Sequence, residues 1–372
     1  MNPKFEPFFQ PLTLPIGVQL KNRLVMAPMT NFSSHPDGTV TDEEVHYYAR
    51  RSHGVGMVVT ACTYVTIGGK GFHGQFGADT DDMIPSLSRV AKAIKDKGAK
   101  AIIQLYHGGR LCPPELVPDG DIVSASAVAS EREGAPTPRE LTEDEIHSII
   151  KDFGKATKRA IEAGFDGVEI HGANGYLLQQ FFSPHSNRRE DEWGGSVEKR
   201  MAFPLAIVDE VERVVAHHPE PFIVGYRFSP EEAETPGITM DDTLKLVDAL
   251  AREGLDYLHV SLNDYWSKPR RGVDDSKTRM EWILEKVNHR VPVIGVGSIY
   301  TPEDAARAFE SGVDLLALGR EIIIDPDWVQ KVKEDKVDEI ETKIDKNAQE
   351  RLVVPDPLWR AITNSPGWFP GI

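Results

Sequence analysis

The stretch EIHGANGYLLQQ, residues 169–180, sets an imidazole, a carboxamide and a phenol within six positions: His171, Asn174 and Tyr176. It continues an apolar run and is broken by Gly172 and Gly175, so the three side chains emerge where a buried strand ends. Each offers N–H or O–H bonds while uncharged. Singly, none decides anything. A histidine at a strand end often does no more than satisfy a backbone carbonyl, and a lone tyrosine is more often a core residue.

Other apolar runs end in residues of similar character: Pro28, Met29 and Thr30; Cys62; Gln104 and His107; Arg227; Gly297 and Ser298; Gly319 and Arg320. Hydrolytic chemistry is not written here. The chain has no G-x-S-x-G elbow and no H-E-x-x-H, and no carboxylates gather at these ends to hold a metal. The turns GVGS and ALGR instead present backbone N–H groups on the last two apolar runs, with Arg320 beside them, which suits a phosphate. Either turn alone would read as a tight entry into a helix. Gln104 can donate and accept in one plane, and Arg227 supplies a fixed cationic fork. Together they suit the edge of a flat heterocycle that becomes anionic on reduction. The alternative is that Arg227 pairs with a buried carboxylate such as Glu169, because a buried guanidinium must be compensated.

The elements that must position these residues are legible as eight short β-rich runs: RLVMAP, VGMVVTAC, KAIIQLY, GVEIHG, FIVGYRF, YLHVSL, PVIGVG and LLALGR. Helical patterns separate them. A capping box is expected at Thr142 to Glu145, a helix from Thr301 with Pro302 in its first position to near Gly312, and another from about Thr239 to Gly254. Strands apolar on both faces and alternating with helices imply a parallel sheet, and eight such units close a (β/α)8 TIM barrel, an α/β fold whose sites lie at the strands' C-terminal ends. A doubly wound open sheet competes, but MAPMTNFSS follows the first run where a G-x-G-x-x-G turn would be expected.

Composition narrows the partners. A formal charge of −16 argues against nucleic acid and anionic membranes, and no apolar run approaches the roughly 20 residues of a membrane span. The opening MNPKFEPFFQPL lacks the form of a secretory signal, so a cytoplasmic location is expected. Cys62 and Cys112 are too few for a four-thiolate iron–sulfur cluster and read as reduced thiols.

The segments RLVMAPMT, IIQLYHGGR, EIHGANGYLLQQFFSPHSNRREDEWGGSVEKR, YRFSP and VIGVGSI with LLALGR run in order from about residue 23 to residue 325. Together they resemble the old yellow enzyme family of FMN-dependent ene-reductases. The resemblance implies FMN at the C-terminal mouth of the barrel and a ping-pong cycle in which NAD(P)H reduces FMN and an α,β-unsaturated carbonyl or similar activated alkene reoxidises it. It implies that His171 and Asn174 bind the substrate carbonyl oxygen and that Tyr176 protonates the α-carbon. Pro28, Met29, Thr30 and Cys62 would line the flavin. Gln104 and Arg227 would hold its pyrimidine edge, and Gly297, Ser298, Gly319 and Arg320 its phosphate. Thr30 stands where some bacterial members carry Cys, and Phe32, a further substrate contact, where they often carry Tyr. A barrel that binds FMN or a phosphorylated ligand without turnover is the alternative function.

The chain is expected to divide into a barrel domain, 1–335, and a C-terminal extension, 336–372. The extension, with Trp359, Arg360, Trp368 and Phe369, should pack on its own barrel or on a second copy in a homo-oligomer.

Overall fold

In the computed structural model, which describes residues 1–372, the eight runs are eight parallel strands closed into a barrel. They are β1 (Leu24–Met26), β2 (Met57–Tyr64), β3 (Lys100–Tyr106), β4 (Gly167–Gly172), β5 (Ile223–Phe228), β6 (Tyr257–Val260), β7 (Val293–Gly295) and β8 (Leu315–Leu318). Each pairs with its sequence neighbours, and β8 closes onto β1 through the register Leu316 to Leu24. This is the TIM barrel, not the open sheet.

Both faces of these strands are buried, for the reason their apolar runs suggested. Val25, Met57, Val59, Ile102, Ile223, Ile294 and Leu315 point inward and pack on one another. Leu24, Val58, Ile103, Val168, Val224, Leu258 and Leu316 alternate with them and meet the surrounding helices. Leu14 and Leu20 join the inner cluster from a small hairpin, Leu12–Thr13 with Gln19–Leu20, that the sequence reading did not contain. Ile16 N–H donates to Asp256 Oδ1 just before β6, so the hairpin stoppers the N-terminal end of the barrel and leaves the other end open.

Helix starts follow local chemistry. Thr142 and Glu145 form the expected capping box at the head of Glu143–Glu162. Thr301 caps Pro302–Glu310 with Asp304 as its reciprocal partner, and Thr239 with Asp242 opens Met240–Leu250. The last of these ends short of the Gly254 expected from sequence.

A bulge matters for the site. Between β2 and β3 the register moves from Val59 opposite Ile102 to Cys62 opposite Gln104, so β2 carries one extra residue. Thr60 Oγ1 accepts the Gln104 N–H at 3.2 Å, and Ala61 N–H donates to the Tyr48 hydroxyl at 2.8 Å. The extra residue resets the alternation and leaves Cys62 level with Gln104.

Beyond β8 the chain runs through Arg320–Ile324 and Trp328–Lys333, then folds back through Gln349–Leu352 and Asp356–Thr363. Leu352, Leu358, Ile362 and Phe369 are buried in the outer core of this same chain. The buried Arg51 guanidinium donates to the carbonyls of Leu352 (2.6 Å) and Val353 (3.4 Å). No helix is long and apolar enough to cross a membrane.

Candidate active site at the barrel mouth

Parallel strands deliver their inward side chains to one level when their registers match. Gln104 on β3 is level with Glu169 on β4. His171, two residues on, is level with Arg227 on β5, which is level with His259 on β6. Five polar side chains from four adjacent strands therefore meet inside the C-terminal end of the barrel.

His171 has a defined protonation state. The Ala173 N–H donates to its Nδ1 at 3.2 Å, so the ring proton sits on Nε2. Burial, and then the nearby Arg227 charge, pull its pKa down to about 3, and the ring is a neutral N–H donor across the physiological range. Tyr176 stands edge-on to it, with ring centroids 5.2 Å apart and planes at 79°. Tyr106 packs against both rings, 4.5 Å from Tyr176 and 5.7 Å from His171. Burial raises the Tyr176 pKa above its ordinary value and keeps the proton on oxygen.

Asn174 reaches the mouth by an unusual backbone, with φ at 58°, a region that asparagine tolerates better than most residues. Its N–H is taken by Ser229 Oγ at 2.8 Å. Its Nδ2 donates to Ser261 Oγ at 3.0 Å, and its Oδ1 lies 3.5 Å from Arg227 Nη1. One amide hydrogen is left for a ligand. Phe32 also has a left-handed backbone, with φ at 57°, a strained state for a bulky residue. It packs edge-on to Phe72 at 5.9 Å, and Phe72 stands 6.2 Å from Tyr176. These rings wall the mouth.

A cavity of about 340 Å³ opens beside this group. Pro28, Met29, Arg227, Gly297, Ser298, Gly319 and Arg320 all line it, so seven of the ten expected cofactor residues come together there. Thr30, Cys62 and Gln104 lie outside its lining. Thr30 Oγ1 and Cys62 Sγ are 3.9 Å apart, and burial pushes the Cys62 thiol up to about 12, so it is not a thiolate. Gln104 turns its Nε2 toward Glu169 Oε1, 2.8 Å away. The alternative reading, a direct pair of Arg227 with Glu169, is not what the structure shows: Glu169 takes its hydrogen bonds from Gln104, Tyr257 and His259.

The lining fits FMN. Arg227 is buried with its Nε lacking any partner and with no direct ion pair, as expected of a cation that awaits an electron-rich ligand. Gly297 has φ at 141°, and a Cβ there would lie 2.4 Å from Tyr265 N, so glycine is what lets the chain turn closely along the cavity, as a phosphate site would need. Ser298 follows at φ 53°, its Oγ donating to the Asn263 carbonyl at 2.6 Å and accepting from Arg320 Nη2 at 2.8 Å. Arg320 Nη1 donates to the Trp368 carbonyl at 2.8 Å. The guanidinium is thus held from two sides at the edge of the cavity. Sequence reasoning read Trp368 only as a packing residue of the tail and missed Asn263; no local signal marks either as part of this cavity. It could have found His259, one inward step beyond Tyr257 on β6.

The comparisons with known proteins agree with this arrangement. The NADH:flavin oxidoreductase / NADH oxidase family model matches residues 7–339. A protein of Bacillus subtilis described as a probable NADH-dependent flavin oxidoreductase is 53% identical over 371 residues, covering 100% of this chain and 99% of its own. The NADH:fumarate oxidoreductase of Klebsiella pneumoniae is 45% identical over 95% of this chain, which spans only 39% of that protein. Among solved structures, morphinone reductase superposes with a TM-score of 0.74 at 31% identity, covering 88% of this chain and 89% of its own. The old yellow enzyme homologue of Zymomonas mobilis does so with 0.77 at 27%, covering 88% and 92%. The chain therefore belongs to the NADH:flavin oxidoreductase / NADH oxidase family, in its old yellow enzyme branch, and is an NAD(P)H-dependent oxidoreductase with FMN as its cofactor.

Proposed function

We propose that this protein reduces the C=C bond of α,β-unsaturated carbonyl compounds or similarly activated alkenes, with NAD(P)H as reductant in a ping-pong cycle. The observation that carries this reading is the neutral His171, its free donor on Nε2, set edge-on to a protonated Tyr176 at 5.2 Å beside the Arg227 cavity. When bound, FMN supplies the hydride-carrying chemistry. The side chains do the rest. His171 Nε2–H and the remaining Asn174 Nδ2–H donate to the substrate carbonyl oxygen, where charge accumulates as the β-carbon gains hydride, and they stabilise that charge more than the neutral ground state. Tyr176 gives its phenolic proton to the α-carbon, so hydride and proton together saturate the bond. Arg227 offers a positive charge to the electron-rich face of the cofactor.

Two relatives support the substrate class. The NADH:fumarate oxidoreductase and the NADH:acrylate oxidoreductase of Vibrio harveyi, 45% and 46% identical, are named for alkenes conjugated to a carboxylate. This chain spans 39% and 34% of their lengths, so the name of the whole protein reaches it only as this proposal.

The test is the double variant His171→Ala with Asn174→Ala. FMN should stay bound, because neither side chain lines the phosphate or Arg227 cavity. Turnover of cyclohexenone should fall by about 10²-fold or more, with reoxidation by alkene slowed more than reduction by NAD(P)H in stopped-flow traces. Unchanged enone turnover would refute the assignment.

A further inference from the structure

We propose that Glu169 is a positioning residue for the cofactor: its buried carboxylate orients the Gln104 carboxamide and balances the Arg227 charge, and so sets the electron affinity of bound FMN. The proposal rests on FMN lying over Gln104 and Arg227, as read above.

Glu169 is fully buried on β4, one inward step below His171. Its carboxylate accepts from Gln104 Nε2 at 2.8 Å, from the Tyr257 hydroxyl at 2.8 Å and from His259 Nδ1 at 2.9 Å. An ionised carboxylate can only accept, so it dictates how each donor points. The Gln104 NH₂ is turned down into the barrel, which leaves the carbonyl Oε1 as the amide atom available to a ligand. His259 must carry its proton on Nδ1, and its Nε2 is buried without a partner.

The charge arrangement follows from the same geometry. Burial alone would raise the Glu169 pKa, but His259, Arg227 and Gln104 outweigh it and hold the pKa at about 2, so the group is ionised. Arg227 is buried, makes no direct ion pair, and has Glu169 as the first of the groups that favour its charged form. One negative and one positive charge therefore sit beneath the mouth without touching. Reduction of FMN adds negative charge on the Arg227 side. With Glu169 in place that charge meets a partly balanced cation. With Glu169 neutral it meets an uncompensated one, and the Gln104 amide is free to turn over.

Glu169→Gln should therefore weaken oxidised FMN more than reduced FMN, changing the ratio of the two dissociation constants by about tenfold. That is a positive shift of about 30 mV in a two-electron potential, read by anaerobic dye-linked titration. Tyr257→Phe removes a donor that screens Glu169 while leaving the carboxylate, so the potential should move the other way. Glu169→Asp keeps the charge and should stay nearer the native value. Opposite signs for the first two variants are a signature that a merely structural role would not produce. An unchanged or lowered potential in FMN-loaded Glu169→Gln would overturn the proposal. If Glu169→Gln does not fold, a Tyr257→Phe potential at or above the native value would overturn it equally. A native protein that binds no FMN would instead remove the cofactor reading itself, and this proposal with it.

Discussion

Tyr176 and His171 show how far a residue's role is set by its surroundings. Both are uncharged and stand against each other, yet the Ala173 N–H on His171 Nδ1 makes the histidine a donor through Nε2 alone, while burial makes the phenol a reluctant acid that releases its proton only to a strong base. A carbanion-like α-carbon is such a base; a quinone oxygen needs no such donor. Tyr176→Phe should therefore lose alkene reduction by about 10²–10⁴-fold while reoxidation by quinones or oxygen stays near native. Steady-state rates with the paired acceptors check this, and equal loss with every acceptor would make Tyr176 a structural residue. The histidine carries a second consequence. Its pKa of about 3 places no titration of His171 in the working range, so a pH optimum near neutrality arises elsewhere.

At the scale of elements, two irregularities do the positioning. The β2 bulge resets the alternation so that Cys62 comes level with Gln104. The turn after β7 takes a left-handed path through Gly297 and Ser298 to face Arg320. Gly297→Ala would drive a Cβ to 2.4 Å from the Tyr265 backbone nitrogen at a φ of 141°, so the turn must shift. We expect a stability loss of about 2 kcal/mol and at least a tenfold weaker hold on FMN. Gly68→Ala, which meets nothing within 4 Å, should be near neutral. Chemical denaturation and flavin fluorescence compare the two variants, and equal behaviour would show that the turn is not constrained as described.

The whole molecule closes the site with its own C-terminal segment. Trp368 is 37% exposed, but its carbonyl holds Arg320, and the neighbouring Phe369 is buried in the core. Burying a side chain of that size stabilises by about 1.5–3 kcal/mol. A chain ended at Ser365 should lose about that much, and should bind FMN about tenfold more weakly because Arg320 loses one of its two anchors. Calorimetry and FMN titration check both. An FMN affinity equal to that of the full chain would separate the tail from the site. We propose a homo-oligomer for the full chain, with the exposed Arg360 and half-buried Trp359 on the tail's outer surface as the contact; light scattering of the full chain against a chain ended near Val354, which lacks both residues, tests it, and an unchanged oligomeric mass would remove the tail from the contact.

The barrel was legible in the amino-acid sequence because its signals are local. Runs such as KAIIQLY and FIVGYRF are apolar on both faces, a threonine with a reciprocal acid three residues on starts a helix, and eight repeats leave closure as the simplest way to bury every strand. The chemical types at the strand ends could be read for the same reason, as could the glycine turns after the last two strands. What only the tertiary structure decided is how those groups share their hydrogen bonds. Gln104 and Glu169 are 65 residues apart, Glu169 and His259 are 90, and Arg320 and Trp368 are 48. No local pattern records such partners, because each is chosen by the register at which separate strands close and by where the tail returns. The sequence placed a carboxylate two positions before His171; only the closed barrel turned it toward Gln104 and His259 and left Arg227 without a direct ion pair.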